Sequence, residues 1–359
     1  MSPTPARTMQ GAVLTGPKTI EIRDVPVPEP GPGEILVRIR AATTCGTDVK
    51  VYLRGGHPRM LKVPTLFGHE MAGEVSVAGD GVTSFPLGDR VVVANSAPCL
   101  TCQPCRMGRE NLCEDLQYLN GAFAEYLLVP ARFVERNTHV IPEGLSFARA
   151  AITEPLACVL HGIEACEFAR YASDDGPVEA IIYGAGPIGL LFVAALAFAG
   201  HHVIVADPNP ARLETAAALG ATRTVRITRG GGQADTVRQA TAGGKGAWIA
   251  VDATGVPEVW ADAMASIRPG GLVNLFGGCA PGTTVALDTH LVHYSELTIK
   301  GVYHHRPATI KKALQLLGDP AFKADLLISG TRPVSEVQDA LESMIAKQSL
   351  KLVIKNDGP

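Results

Sequence analysis

Four of the eight cysteines fall within fifteen residues: Cys99, Cys102, Cys105 and Cys113, at spacings of x2, x2 and x7. Four thiolates on one short loop suit a tetrahedral Zn²⁺ ion. A shell made of four thiolates leaves no open position, so this site reads as structural. Iron–sulfur ligation is the alternative, but nothing nearby in the sequence points to electron transfer. Without a metal, four clustered thiols would be prone to oxidation. A second set is scattered along the chain. Cys45 sits in Cys45-Gly46-Thr47-Asp48, His69 and Glu70 in Gly68-His69-Glu70, and Glu154 in Glu154-Pro155-Leu156. One thiolate, one imidazole and one carboxylate would leave the fourth zinc position to water or substrate, which is what a catalytic zinc needs. Each residue is a weak signal alone, and the inference rests on the set.

A third constellation is the run Tyr183-Gly184-Ala185-Gly186-Pro187-Ile188-Gly189, which fits G-x-G-x-x-G. It follows an apolar strand candidate and opens a helix, as a dinucleotide site requires. Gly184 would make the tight turn, Gly186 would let a pyrophosphate approach the backbone, and Gly189 would let the helix pack on the sheet. The helix start, with Pro187 and Ile188, offers free N–H groups to the phosphates. Asp207 closes the next strand candidate, where a carboxylate accepts hydrogen bonds from ribose hydroxyls and repels a 2′-phosphate. That favours NAD over NADP, with nearby Arg212 softening the preference. Thr254 is a further candidate contact to the cofactor.

The elements that must position these residues fall into two patterns. Residues 10–150 carry short runs rich in β-branched residues and bounded by Gly or Pro, such as Ile35–Ile39, Glu74–Val77 and Arg90–Val93. From about residue 155 strands alternate with helices: strands at Val178–Tyr183, His202–Ala206, Ala247–Asp252 and Leu272–Phe276, and helices at Pro210–Leu219 and Pro257–Ile267. That alternation argues for a parallel, doubly wound sheet. A last strand is expected at Leu350–Ile354.

Taken in order, these motifs resemble the zinc-dependent medium-chain dehydrogenase/reductase (alcohol dehydrogenase) family, together with Gly88-Asp89-Arg90-Val91, over nearly the whole chain. The resemblance implies an α/β protein with a GroES-like, β-rich catalytic domain over residues 1–155, completed by 297–359. It also implies a Rossmann NAD-binding domain over 156–296, with the active site in the cleft between the two. Carried over by position, Cys45 and His69 are catalytic zinc ligands, and Glu70, or Glu154 through the metal-bound water, completes the shell. Thr47 matches the hydroxyl that relays the substrate proton, and Asp48 is expected to orient a ligand as a partner of His69.

Two branches of the family look nearest. Sorbitol-type polyol dehydrogenases carry Glu-Pro-Leu, as here, and threonine dehydrogenases carry Cys-Gly-Thr-Asp, as here. The threonine branch also places a histidine before the cysteine loop, where this chain has Ser96, which favours a polyol or sugar. Both branches have a histidine five residues after the zinc cysteine, where this chain has Lys50. Gly301-Val302-Tyr303-His304-His305 aligns with a substrate-facing segment, making His304 and His305 substrate candidates alongside Tyr52 and Phe123. The activity implied is hydride transfer from a secondary alcohol (a polyol, sugar or cyclitol-like compound) to NAD, with two zinc ions per chain. The alternatives are an L-threonine or amino-alcohol 3-dehydrogenase and, in another class, a non-catalytic nucleotide-binding structural or regulatory protein.

Composition bounds the rest. The 359 residues are 46% hydrophobic and 19% charged, ordinary globular usage, and the formal net charge is −3 without blocks of one sign. Nucleic-acid and anionic-membrane binding are therefore not expected. The first ten residues show no apolar signal core, and the apolar stretch 181–199 is broken by glycines, so a cytoplasmic protein is expected. The family resemblance implies a homodimer or homotetramer.

Overall fold

The strand Ile35–Thr43 (ILVRIRAAT) is buried along nearly its whole length, as suits a central position in a sheet. One edge pairs antiparallel with Glu70–Ala78. The other edge is shared: Ile35–Arg38 pair with Tyr126–Val129, and Ala42 and Thr43 pair with the late strand Lys351–Lys355. Arg90–Val93 and Thr138–Val140 extend the sheet beyond Glu70–Ala78, and Ile328–Pro333 lies parallel to Lys351–Lys355, for seven strands in all. A three-stranded antiparallel sheet runs in the order Thr19–Pro26, Thr8–Gly16, Thr65–Leu66. Leu14, Ile35, Phe67, Phe123, Phe133 and Leu352 belong to the shared core of this unit.

The structure, a computed structural model, describes residues 7–172 and 176–356. The start of the chain, on which the expected absence of a signal partly rests, falls outside them. The chain divides into two compact units: residues 1–157, 306–320 and 327–359 in one, and 158–305 with 321–326 in the other.

The second unit is built on six parallel strands in the order Arg223–Arg226, His202–Asp207, Glu179–Tyr183, Ala247–Asp252, Ile267–Leu275, Thr298–Gly301. The helix Pro187–Phe198 (PIGLLFVAALAF) is apolar on every side and buried over Gly189–Leu196, a core helix rather than a surface one. Among the described residues no helix is long and apolar enough to cross a membrane.

Boundaries differ from the sequence reading where glycine and proline mislead. The helix expected over Pro257–Ile267 ends at Ala265. The next strand, expected at Leu272–Phe276, already begins at Ile267 and ends at Leu275, running through Arg268-Pro269-Gly270-Gly271. The Pro-Gly-Gly segment is accommodated by a register shift against Ala247–Asp252. The edge strand Arg223–Arg226 (RTVR) has no hydrophobic alternation to announce it, because it is mostly exposed.

Candidate functional site

Cys45 caps the helix Gly46–Arg54. Its Sγ accepts the Thr47 N–H at 3.4 Å, while Asp48 Oδ2 accepts the Cys45 N–H at 2.9 Å, a reciprocal capping box. The second oxygen of that carboxylate, Asp48 Oδ1, lies 2.8 Å from His69 Nδ1. The expected partnership of Asp48 and His69 is thus present. With Nδ1 bound to a carboxylate, the other ring nitrogen, Nε2, is the one left to bind a metal. Burial opposes charge on His69, but the Asp48 carboxylate outweighs it and holds the imidazole pKa well above its ordinary value. Burial, and then the neighbouring Glu70 charge, push the Cys45 thiol up.

Glu70, beside His69, opens the strand Glu70–Ala78 and is fully buried. Ligand atoms of Cys45, His69 and Glu70 all lie within 4.8 Å of one another. Lys351, from the last strand, donates to both Glu70 oxygens at 2.9 and 2.6 Å and to the Thr44 carbonyl at 2.7 Å. The Thr43 hydroxyl also donates to Glu70. Burial opposes the Lys351 charge, yet Glu70 raises its pKa above the ordinary value. Sequence reasoning missed Lys351. The only signal was a lysine within the apolar run expected as the strand Leu350–Ile354, with its partner 281 residues away.

Glu154, near the start of the helix Thr153–Ala165, is buried and lies outside the 4.8 Å trio, though it feels the charges of His69 and Glu70. Burial, against the pull of His69, pushes its carboxyl up to about 7. This donor set fits a divalent cation: a buried thiol, an imidazole fixed in one orientation, and two buried carboxyls. Thr47 is half-buried in the first helical turn and Lys50 is exposed.

The second cysteine set also converges. Cys99, Cys102, Cys105 and Cys113 lie within 4.8 Å of one another. Leu100, in the left-handed region at φ 63°, and the short helix Gln103–Arg106 fold the loop back on itself. Peptide N–H groups of Thr101 and Cys102 point at Cys99 Sγ, at 3.4 and 3.3 Å, and that of Cys99 at Cys113 Sγ, at 3.2 Å. Hydrogen bonds from Thr101, first of all its side chain, pull the Cys99 thiol down to about 5, while burial pushes Cys105 and Cys113 up. Sulfurs that collect N–H donors are prepared for thiolate character, and the set fits a four-thiolate metal site.

In the second unit the strand Glu179–Tyr183 ends in the glycine turn, and Pro187 starts the helix. A Cβ on Gly189 would lie 1.8 Å from the Gly184 carbonyl oxygen, so only glycine allows this approach of helix to turn. A Cβ on Gly186 would meet nothing within 4 Å, which leaves open space where a pyrophosphate is expected. Asp207, at the end of its strand, accepts the Ala185 N–H and the Asn209 N–H, each at 2.7 Å, tying the turn to the neighbouring strand end. Ile188 and Arg212 are half-buried, Arg212 in the first turn of the helix capped by Asn209. Thr254 lies over Gly184, with its Cγ2 2.7 Å from where a Cβ would be. This cradle fits a dinucleotide.

The substrate candidates are placed differently from one another. Tyr52 is buried in the core of the first unit and its hydroxyl donates to Glu342 Oε1 at 2.7 Å. Phe123 is fully buried edge-on against Phe67 and fills the space beside Gly68. Both side chains are parts of the packing around the helix capped by Cys45 and the segment that carries His69 into the strand Glu70–Ala78. In the second unit His304, at φ 62°, receives the His161 Nδ1 hydrogen bond on its carbonyl at 2.7 Å, and its ring lies 4.0 Å from that of buried His305. Ser96 is buried, its carbonyl accepting from Asn137.

Comparison with known proteins follows the same division. Residues 31–141 match the alcohol dehydrogenase GroES-like domain family, and residues 187–319 match the zinc-binding dehydrogenase family. Sorbitol dehydrogenase of Bacillus subtilis is 31% identical over 363 aligned residues, covering 99% of each chain. The chain belongs to the zinc-binding alcohol dehydrogenase family. An L-threonine 3-dehydrogenase from Alteromonas mediterranea is 32% identical, over 94% of this chain and 96% of that one. A Sinorhizobium meliloti protein, described only as a zinc-binding dehydrogenase and solved bound to NADP, superposes with a TM-score of 0.86 at 30% identity, covering 97% of this chain and 99% of that one. The first unit of this dehydrogenase is therefore GroES-like, its second Rossmann-type, and the protein an oxidoreductase of the zinc-dependent medium-chain class.

Proposed function

We propose that the protein oxidises a secondary alcohol, of the polyol, sugar or cyclitol kind, with NAD as hydride acceptor and two zinc ions per chain. The observation that carries this reading is the convergence of Cys45, His69 and Glu70 within 4.8 Å, with His69 oriented by Asp48. Cys45 and His69 would hold the catalytic zinc, with Glu70 or Glu154 as the carboxylate. Cys99, Cys102, Cys105 and Cys113 would hold the structural one. Gly184, Gly186, Pro187, Ile188 and Gly189 would receive the pyrophosphate, with Asp207, Arg212 and Thr254 around the rest of the cofactor. The Asp207 carboxylate supports NAD over NADP by repelling a 2′-phosphate.

When bound, zinc supplies Lewis acidity that lowers the pKa of an alcohol, and NAD supplies the hydride acceptor. The protein does the rest. Asp48 holds His69 in the ligating orientation. Lys351 neutralises Glu70, so that a second full negative charge does not stand unpaired beside the site. Thr47, half-buried in the first helical turn, offers the hydroxyl that carries the substrate proton outward, and His304 and His305 are assigned as substrate contacts. The enzyme is assigned to the cytoplasm as a homodimer or homotetramer, with no nucleic-acid partner.

A panel of polyols, sugars, cyclitols and L-threonine, assayed by NAD reduction on zinc-loaded protein, tests the reading. Polyol or sugar turnover with NAD is expected. Preferential threonine turnover would favour the second branch, which shares Cys45-Gly46-Thr47-Asp48. No turnover of any alcohol with either dinucleotide would overturn the reading.

A further inference from the structure

At the carboxyl end of the strand Ala247–Asp252, the last side chain is a fully buried carboxyl group. Asp252 Oδ1 accepts the Thr254 N–H at 2.9 Å and the Thr254 hydroxyl at 2.5 Å. Its Oδ2 accepts the Gly255 N–H at 3.1 Å and the Trp260 indole N–H at 3.0 Å. The backbone joins in: the Asp252 carbonyl accepts the Gly277 N–H at 2.7 Å, and Ala253 N–H donates to the Tyr183 carbonyl at 2.9 Å. A Cβ on Gly277 would come within 2.6 Å of Asp252 Oδ2, so the loop after the next strand is pressed against the same carboxylate.

All four groups aimed at the Asp252 side chain are donors. Burial pushes its carboxyl above the ordinary value, and these donors pull it back. Only an acceptor on both sides, an ionised carboxylate, satisfies them. An asparagine of the same shape would turn its NH₂ towards two N–H or O–H groups. A buried charge is costly unless it is fully hydrogen-bonded, and here four donors are aimed at the one carboxylate. The carboxylate has no lone pair left over for a ligand. What it holds is the Thr254–Gly255 turn, and Thr254 in turn lies over Gly184, the first glycine of the phosphate turn. In a doubly wound sheet this rim, outside the carboxyl ends of the strands, is where ligands bind.

We propose that Asp252 is a positioning residue of the dinucleotide site, locking the Thr254–Gly255 turn against Gly184 and so setting the shape of the cofactor mouth. The proposal rests on the dinucleotide reading above and extends it to a residue that does not itself touch the cofactor.

The test is calorimetric titration of NADH into the full-length wild-type, Asp252→Asn and Trp260→Phe proteins, with amide hydrogen exchange of residues 253–257 measured without cofactor. Asp252→Asn is expected to weaken NADH binding at least tenfold and to speed exchange at Thr254 and Gly255. Trp260→Phe removes one donor but leaves the turn held, and is expected to bind within twofold of wild type. Should Asp252→Asn fail to fold, Thr254→Val, which removes the hydroxyl bond to the carboxylate, is expected to speed exchange at Gly255 without cofactor as well as to weaken binding at least threefold, a loosening that loss of a cofactor contact alone would not produce. Binding within twofold of wild type by Asp252→Asn, or by Thr254→Val in its place, would overturn the assignment. So would equal weakening by Trp260→Phe, which would indicate general packing. If the wild type binds neither NADH nor NADPH, the dinucleotide reading itself falls, and this assignment with it.

Discussion

Asp48 Oδ1 lies 2.8 Å from His69 Nδ1, and the other oxygen of the same carboxylate closes the helix cap at Cys45. One side chain therefore fixes both the backbone that carries the Cys45 sulfur and the orientation of the His69 ring. Asp48→Asn keeps an oxygen for only one of these bonds. If its NH₂ faces His69, the ring must accept at Nδ1 and protonate at Nε2, the wrong form for a metal ligand. Partners of this kind are typically worth about 10–100-fold in metal affinity. Zinc content of the dialysed variant should fall by one ion per chain while the four-cysteine site stays filled. Retention of both ions at wild-type affinity would contradict the role given to Asp48.

Lys351 and Glu70 form a buried pair, 1% and 0% exposed at their side chains. Removing one partner strands the other charge in the core, an effect of about 3–5 kcal/mol. Lys351→Met should lower the unfolding free energy by about that amount, and the double variant Lys351→Met with Glu70→Gln should recover part of it. Denaturant melts of both single variants and of the double variant read this directly. An additive double variant would mean that the two side chains do not depend on each other.

The four-cysteine loop predicts a different phenotype. Replacing Cys105 with Ser should remove one metal ion, lower the melting temperature and leave NADH binding intact, because the loop belongs to the first unit and the glycine turn to the second. Metal analysis alongside thermal melting checks it.

His139 predicts a pH dependence. Burial, with Lys311 nearby, drives its pKa down from 6.5 to about 4, so the folded protein holds it neutral. The unfolded chain takes up the proton first as pH falls. The stability this group contributes is therefore complete above about pH 6.5 and is lost as pH drops towards 4. His139→Gln should show a shallower fall of melting temperature across that window than wild type. Identical slopes would assign the acid sensitivity elsewhere.

Gly189→Ala would set a methyl 1.8 Å from the Gly184 carbonyl oxygen. The helix must shift away from the turn, and NADH affinity should drop by at least tenfold while zinc content holds. Unchanged affinity would show that the turn is not where the phosphates lie.

Much of this site was legible in the sequence because its residues come in short local motifs. Cys45 to Asp48 is one helical turn, Gly184 to Gly189 is one strand-to-helix turn held by glycine, and the four cysteines share one loop. Spacing alone places such residues together, since the local backbone carries them. What stayed hidden depends on contacts across the fold. Lys351 meets Glu70 from 281 residues away, and Tyr52 meets Glu342 from 290 away, and neither partner leaves a mark on the other's neighbourhood in the sequence. The strand at Ile267 was obscured by its own proline and glycines, and the exposed edge strand Arg223–Arg226 by its lack of an apolar face.

The strand that brings Lys351 to Glu70 leaves the ribosome late, long after Cys45, His69 and Glu70 have emerged. A nascent polypeptide halted before residue 351 carries the three converging groups without the cation that balances Glu70, and it leaves the Ala42–Thr43 edge of the central strand uncovered. Prematurely terminated translation products should therefore be recognised as unfinished by proteases and chaperones, rather than persist as half-assembled oxidoreductases.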